Sequence, residues 1–296
     1  MGLNHVPGAP IPTVAGPVAD TRKPRLALPP GSCDTHAHVF GPESRYPYDP
    51  NRRYTPPDAL LSDYLKMLRT LGVERAVLVQ PSGYMTDNSR LVDALREQTA
   101  FPLRGIAVVN NSVTDAELRA MHEAGVRGLR VNLRVSNGAS ADMAPQLARR
   151  IAPLGWHLQV RVDPKDFASA RSLIEALPVD VVIDHIGGVP VRDGLDGPDF
   201  RMLLDLVASG RCWVKLSAPM RMSEEALPYR DVTPFVHKLV LAAPDRMLWA
   251  TDWPHTGVGG TMPNDGDLCD LLTDWIPDPA TRQRILVDNP ARLYGF

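Results

Sequence analysis

Apolar residues in this chain follow two rhythms, and the two alternate. From residue 32 onward, short and nearly unbroken apolar runs give way to longer stretches where apolar positions recur every three or four residues. The first rhythm suits strands buried on both faces, and the second suits helices that lay one face on a sheet. The runs predict strands over Cys33–Phe40, Arg75–Gln80, Leu103–Val109, Gly128–Leu133, His157–Val162, Val179–His185, Cys212–Ser217 and Met247–Trp253. Helical spacing marks Asp58–Leu71, Asn88–Gln98, Thr114–Glu123, Lys165–Ala176 and Phe200–Ala208. Eight such strands, seven crossovers and further helix after the last match an α/β fold, the (β/α)8 TIM barrel. A doubly wound open sheet is the competing architecture, but it usually carries a Gly-rich phosphate turn after its first strand. Here the first strand runs into His-Ala-His-Val-Phe-Gly instead.

Residues 1–30 break the pattern. They hold Pro, Gly and Ala with no hydrophobic period, and read as an arm ahead of a barrel over residues 31–296. Of 296 residues 44% are hydrophobic, enough for one large core. A net charge of −2 gives no general attraction to nucleic acid or to an anionic membrane, so neither is expected as a partner. No apolar run approaches the length of a membrane span, and the proline-rich start lacks the apolar stretch of a secretory signal. Three widely spaced cysteines, Cys33, Cys212 and Cys269, form no disulfide framework, which points to plain core thiols in a reducing cytoplasm. Nothing in the sequence sets an oligomeric state.

Polar residues gather at the C-terminal ends of the predicted strands, the face where barrel enzymes place their chemistry. Strand one ends in Asp34-Thr-His36-Ala-His38, and residues two apart in a strand share a face, so both imidazoles point into the mouth. Strand six ends in Asp184-His185 and strand eight in Thr251-Asp252-Trp253-Pro254-His255. A single histidine in such a place is usually a satisfied core or loop residue. Three imidazoles and a carboxylate on one rim are harder to explain that way, and can either hold a divalent metal or polarise a carbonyl and activate a water.

These segments resemble the amidohydrolase superfamily, and within it the 2-pyrone-4,6-dicarboxylate lactonase group. The resemblance runs from Pro30 to Tyr294. It rests on the His36-x-His38 and Thr251-Asp252-Trp253-Pro254-His255 pair, with support from His38-Val-Phe-Gly-Pro, Gly128-Leu-Arg-Val-Asn, Val182-Ile-Asp-His and Asn289-Pro-Ala-Arg-Leu-Tyr. It implies a hydrolase opening a small carboxylated lactone. Asp252 would be the general base for the attacking water, and His36, His38 and His185 would stabilise the oxyanion on the lactone carbonyl. Arg130 and Arg221 match carboxylate-binding arginines of the group, and Tyr54 and Ser82 match its hydroxyl contacts. Arg134, Arg161 and, on the rim, His255 complete the substrate-binding candidates. Three positions depart from the group: Gly188 stands where it has an arginine, Arg161 where it has a tyrosine, and Ser136 where it has another arginine. They put the pyrone dicarboxylate itself in question and leave a small anionic lactone as the expected partner.

Two-metal amidohydrolases need a strand-four lysine or glutamate and a strand-five histidine at the mouth. Strand four here has neither residue, and His157 lies at the start of strand five. A single Zn on His36, His38, His185 and Asp252 stays open, since three or four N/O ligands suffice. The resemblance favours no required cofactor. Lys215 is expected to face the barrel interior and to need a buried carboxylate partner, Asp252 or Asp34. The alternatives are a galactarolactone-type isomerase, a metal-dependent decarboxylase of the same superfamily, and a non-catalytic carboxylate-binding barrel.

Overall fold

The computed structural model describes residues 10–97, 100–132, 139–162 and 167–296. Eight parallel strands lie in chain order, each hydrogen-bonded to the next: β1 (Cys33–Ala37), β2 (Arg75–Val79), β3 (Leu103–Ala107), β4 (Val126–Asn132), β5 (His157–Arg161), β6 (Val181–Ile183), β7 (Cys212–Leu216) and β8 (Met247–Trp249). One helix follows each of the first seven: α1 (Leu61–Leu71), α2 (Ser89–Glu97), α3 (Asp115–Ala124), α4 (Ala144–Ile151), α5 (Phe167–Ala176), α6 (Pro198–Ala208) and α7 (Thr233–Ala242). After β8 come α8 (Asp265–Asp270), α9 (Leu272–Trp275), α10 (Pro279–Gln283) and α11 (Asn289–Tyr294). This is the (β/α)8 barrel that the alternating rhythms predict. None of the helices among the described residues is long and apolar enough to cross a membrane.

The seam between β8 and β1 closes at the mouth through the two polar motifs themselves. The Asp252 N–H donates to the His36 carbonyl (3.0 Å) and the His38 N–H to the Trp253 carbonyl (2.8 Å). The opposite, N-terminal end of the barrel is sealed by apolar side chains. Val77, Ile106, Val182, Trp213 and Leu248 form one cluster with Tyr294, which α11 delivers from outside. A larger apolar layer, including Leu68, Leu129, Leu158 and Phe200, fills the space between strands and helices.

Most strands end earlier than the apolar runs suggest; β6, for example, stops at Ile183 and β8 at Trp249. For β6, β7 and β8 the reason is conformational. His185 (φ 55°), Ala218 (φ 52°) and Asp252 (φ 67°) follow β6, β7 and β8 in left-handed backbone, which no strand can continue. Non-glycine residues there cost about 1–2 kcal/mol each, and such outliers gather where a side chain must be aimed.

The segment before β1 straps across α8. Its backbone pairs with the loop after β1, Val14 N–H donating to the Thr55 carbonyl and Thr55 N–H to Pro12. Farther on, the buried Asp270 carboxylate accepts from the Arg25 N–H (2.7 Å), the Leu26 N–H (3.1 Å) and the Arg22 and Arg25 guanidiniums. Gly266 lies under this strap so closely that a Cβ would collide with the Arg22 carbonyl oxygen. Asp270→Ala strands several of these donors and should lower the unfolding free energy in urea by about 1–3 kcal/mol. Gly266→Ala should release the strap, seen as faster proteolysis before residue 30. An unchanged stability and cleavage pattern in both variants would mean that the strap contributes nothing.

Candidate active site

The mouth is assembled from strand ends. His36 and His38 project together, their ring centroids 4.9 Å apart and their Nε2 atoms 3.3 Å apart. His185 joins them, its ring centroid 4.7 Å from that of His36. Asp252 faces all three: Oδ1 lies 3.7 Å from His36 Nε2 and 3.6 Å from His185 Nε2. The four candidate catalytic residues, scattered over the sequence, therefore meet around one space, and all four are buried.

Asp34 braces the two motifs. It accepts from the Thr251 N–H (3.0 Å) and hydroxyl (2.5 Å), the His36 N–H (3.1 Å) and the Tyr64 hydroxyl (2.9 Å). Burial pushes its carboxyl up to about 6 against these donors. Asp184 is the carboxylate that sequence reasoning passed over. Residues 184 and 185 should point to opposite faces of a strand, but β6 has already ended and the left-handed turn at His185 brings both to the mouth. Arg130 Nη2 donates to Asp184 Oδ2 (3.0 Å), and Lys215 Nζ lies 3.9 Å from Oδ1. The expectation that Lys215 pairs with Asp252 or Asp34 is thus corrected to Asp184. A buried arginine two strands away, Arg130 on β4, was the available signal, because such a cation needs a carboxylate.

Arg221 grips Asp252. Its Nε (3.2 Å) and Nη2 (2.9 Å) both donate to Oδ2, and Nη2 also donates to the Thr256 carbonyl. Both arginines expected to hold substrate carboxylates therefore hold carboxylates of the site. Arg130 retains a buried Nε with no hydrogen-bond partner among the described residues. Arg161 ends β5 at the mouth, and its charge helps press the His185 pKa down. Tyr54 and Ser82 stand together on the loops after β1 and β2, hydroxyl to hydroxyl at 3.5 Å. Arg134 lies outside the described residues. His255, expected on the rim, is instead fully buried: its Nε2 pairs with Asp265 at 3.0 Å, tying the turn after Asp252 to α8.

Burial sets the protonation states. It lowers His36 well below the ordinary imidazole value, His38 to about 4 and His185 to about 3, so all three rings are neutral at pH 7. Burial opposes ionisation of Asp252, but its surroundings, the Arg221 guanidinium among them, outweigh it and hold the carboxyl well below its usual range. Asp184 goes the same way against its own burial, with the Arg130 guanidinium beside it. The site thus combines ionised carboxylates with neutral imidazoles.

The donor set fits a single divalent ion. Ligand atoms of His36, His38 and Asp252 lie within 4.8 Å of one another. Zn–N bonds of about 2.0–2.1 Å at tetrahedral angles place two nitrogens about 3.3 Å apart, the separation of the two Nε2 atoms here. Such an ion would supply Lewis acidity to a carbonyl or a bound water.

The amidohydrolase family model matches residues 33–296. The chain belongs to the amidohydrolase family. Among curated members it is 40% identical over 290 residues to 4-sulfomuconolactone hydrolase of Rhizobium radiobacter, covering 96% of this chain and 97% of that one. It is 39% identical over 287 residues to 2-pyrone-4,6-dicarboxylate hydrolase of Comamonas testosteroni, covering 93% and 94%. A solved structure of a putative 2-pyrone-4,6-dicarboxylic acid hydrolase from Pseudomonas putida superposes with a TM-score of 0.77 at 32% identity, covering 90% of this amidohydrolase and 98% of that chain.

If Arg130 only gripped substrate, Arg130→Met would change binding alone. Its contact with Asp184 predicts more: a stability loss of about 3–5 kcal/mol, as when one partner of a buried pair is removed. Urea unfolding checks this, and a loss below about 1 kcal/mol would show that Asp184 does not depend on Arg130.

Proposed function

We propose that this amidohydrolase hydrolyses small lactones that carry an anionic group. The observation that carries the reading is the asymmetry of Asp252. Oδ2 is fixed by Arg221, while Oδ1 faces His36 and His185 from beyond hydrogen-bonding distance. Oδ1 can therefore accept a proton from a water attacking a carbonyl held among the three rings.

The step balances without further reagents. The water oxygen forms a bond to the acyl carbon as its proton passes to Asp252, and negative charge gathers on the carbonyl oxygen. A neutral imidazole N–H aimed at that oxygen stabilises the charge where it develops. Collapse breaks the ring C–O bond, and the proton held on Asp252 is returned to the departing oxygen. The product is an open-chain acid.

Substrate class follows from the cations. Arg161 at the mouth and the spare Nε of Arg130 offer donors to an anionic substituent, and guanidinium suits a carboxylate or a sulfonate equally in charge. Tyr54 and Ser82, on the loops after β1 and β2, remain proposed contacts, and Arg134 remains one on the strength of the sequence alone. The names of the relatives fit this class: one acts on a sulfo-substituted lactone, another on a pyrone dicarboxylate. We hold that no metal is required, because Asp184 and Asp252 each already carry a fixed cation from the protein. A metal-dependent decarboxylase would behave in the opposite way.

The test is ring opening by EDTA-treated protein over a panel of carboxylated and sulfonated lactones, with Asp252→Asn in parallel. The chelated wild type should retain its turnover. The Asn variant should lose about 10²–10⁴-fold in kcat with KM little changed. Loss of activity on chelation, restored by added zinc, would overturn the metal-free route, and wild-type turnover in Asp252→Asn would remove Asp252 from the mechanism.

A further inference from the structure

The two histidines of the His-x-His pair look equivalent in sequence, and their surroundings make them different. His38 Nδ1 lies 2.7 Å from the Val79 carbonyl. A carbonyl only accepts, so Nδ1 bears the proton and the neutral ring leaves Nε2 as a bare acceptor. His36 meets the reverse arrangement. Lys215, fully buried in β7, has three acceptors for its three N–H bonds: the Thr35 carbonyl at 2.7 Å, Gln159 Oε1 at 2.7 Å and His36 Nδ1 at 3.3 Å. An ammonium has no lone pair, so it can only donate to Nδ1. The amide nitrogen of Gln159, 3.4 Å from the same Nδ1, is a second donor aimed at it.

We infer that Lys215 is a positioning residue that holds His36 in the tautomer with its proton on Nε2, so that His36 donates and His38 accepts at the lactone site. The inference rests on the hydrolase reading for its consequence and on the geometry alone for the tautomer. The 3.3 Å contact between the two Nε2 atoms fits it, since one is then a donor and the other an acceptor. A single directed chain runs from Lys215 through His36 and His38 to the Val79 carbonyl. The competing tautomer would place a proton between His36 Nδ1 and Asp184 Oδ1, also 3.3 Å apart. That contact is not aligned as a hydrogen bond, whereas the Lys215 and Gln159 nitrogens are both hydrogen-bond partners of the same Nδ1. The competing form would also turn His36 Nε2 into a second bare acceptor facing that of His38.

The consequence is a division of labour. His36 Nε2–H is the donor that can turn from His38 to the carbonyl oxygen as negative charge develops there. His38 Nε2 has a lone pair and no proton, so it receives a hydrogen bond from the attacking water rather than stabilising the oxyanion. Lys215 touches neither substrate nor reacting atoms; it acts through His36. This divides the roles that sequence resemblance assigns jointly to the two residues.

The decisive measurement is 15N NMR of the imidazole rings in the protein as purified, with the His36 signals assigned by their absence in His36→Gln. The expected result is a proton on Nε2 and a pyridine-type Nδ1 for His36, and the opposite arrangement for His38. A proton on His36 Nδ1, whether from pairing with Asp184 or from a metal on Nε2, overturns the inference. Lys215→Met supplies the functional arm. It should lower kcat roughly 10–100-fold, the usual range for a residue that orients a reacting group, with KM little changed. The His36 proton should move toward Nδ1 in the same variant, whereas an unmoved proton would show that Lys215 does not set it. The tautomer is read without substrate, so the NMR result holds whether or not lactones are opened.

Discussion

An aspartate taken out of water needs a compensating donor or cation, and those buried at the open end of this barrel include Asp34, Asp184 and Asp252. Each is matched differently. Asp34 receives only neutral donors, and its task is to bind the ends of β1 and β8 together. Asp184 is matched by Arg130 and Lys215, and Asp252 by Arg221. Because those cations are supplied by the fold, two carboxylates stay ionised among neutral imidazoles. That combination is what the proposed mechanism uses: an ionised carboxylate as base beside neutral rings.

The same matching determines what remains for a substrate. Arginines that would otherwise clamp an anionic ligand, Arg130 and Arg221, are already engaged by Asp184 and Asp252. Of the positions where the chain differs from the pyrone lactonase group, Arg161 ends β5 and Gly188 lies in the turn after β6. In the proposed reading, the charges shared with that group surround Asp252, and selectivity among anionic lactones is assigned to neighbouring positions on the rim.

Much of this was legible in the amino-acid order. Alternating rhythms give the barrel because buried parallel strands and amphipathic helices differ in period, and the i, i+2 rule places His36 and His38 together because both fall on one strand end. Legibility ended where the backbone leaves those periods. Asp184 and His185 share the mouth through a left-handed turn that no alternation rule anticipates. His255 looked like a rim residue from its distance to Asp252 along the chain, yet the same kind of turn, at φ 60°, accompanies its burial against Asp265. Pairings over long separations were equally hidden. Lys215 plainly needed a buried carboxylate, but which one depends on where β6 and β7 end, and that is a property of the folded sheet.

In the mechanism proposed here, attack of a carboxylate-activated water on the acyl carbon is the step on which the chemistry turns. Turnover of a lactone in 18O-labelled water, followed by mass spectrometry of the opened product, tests it most directly. One labelled oxygen should appear in the new carboxylate and none in the hydroxyl released from the ring. Label on the hydroxyl carbon, or a product that carries no label from solvent, would contradict it.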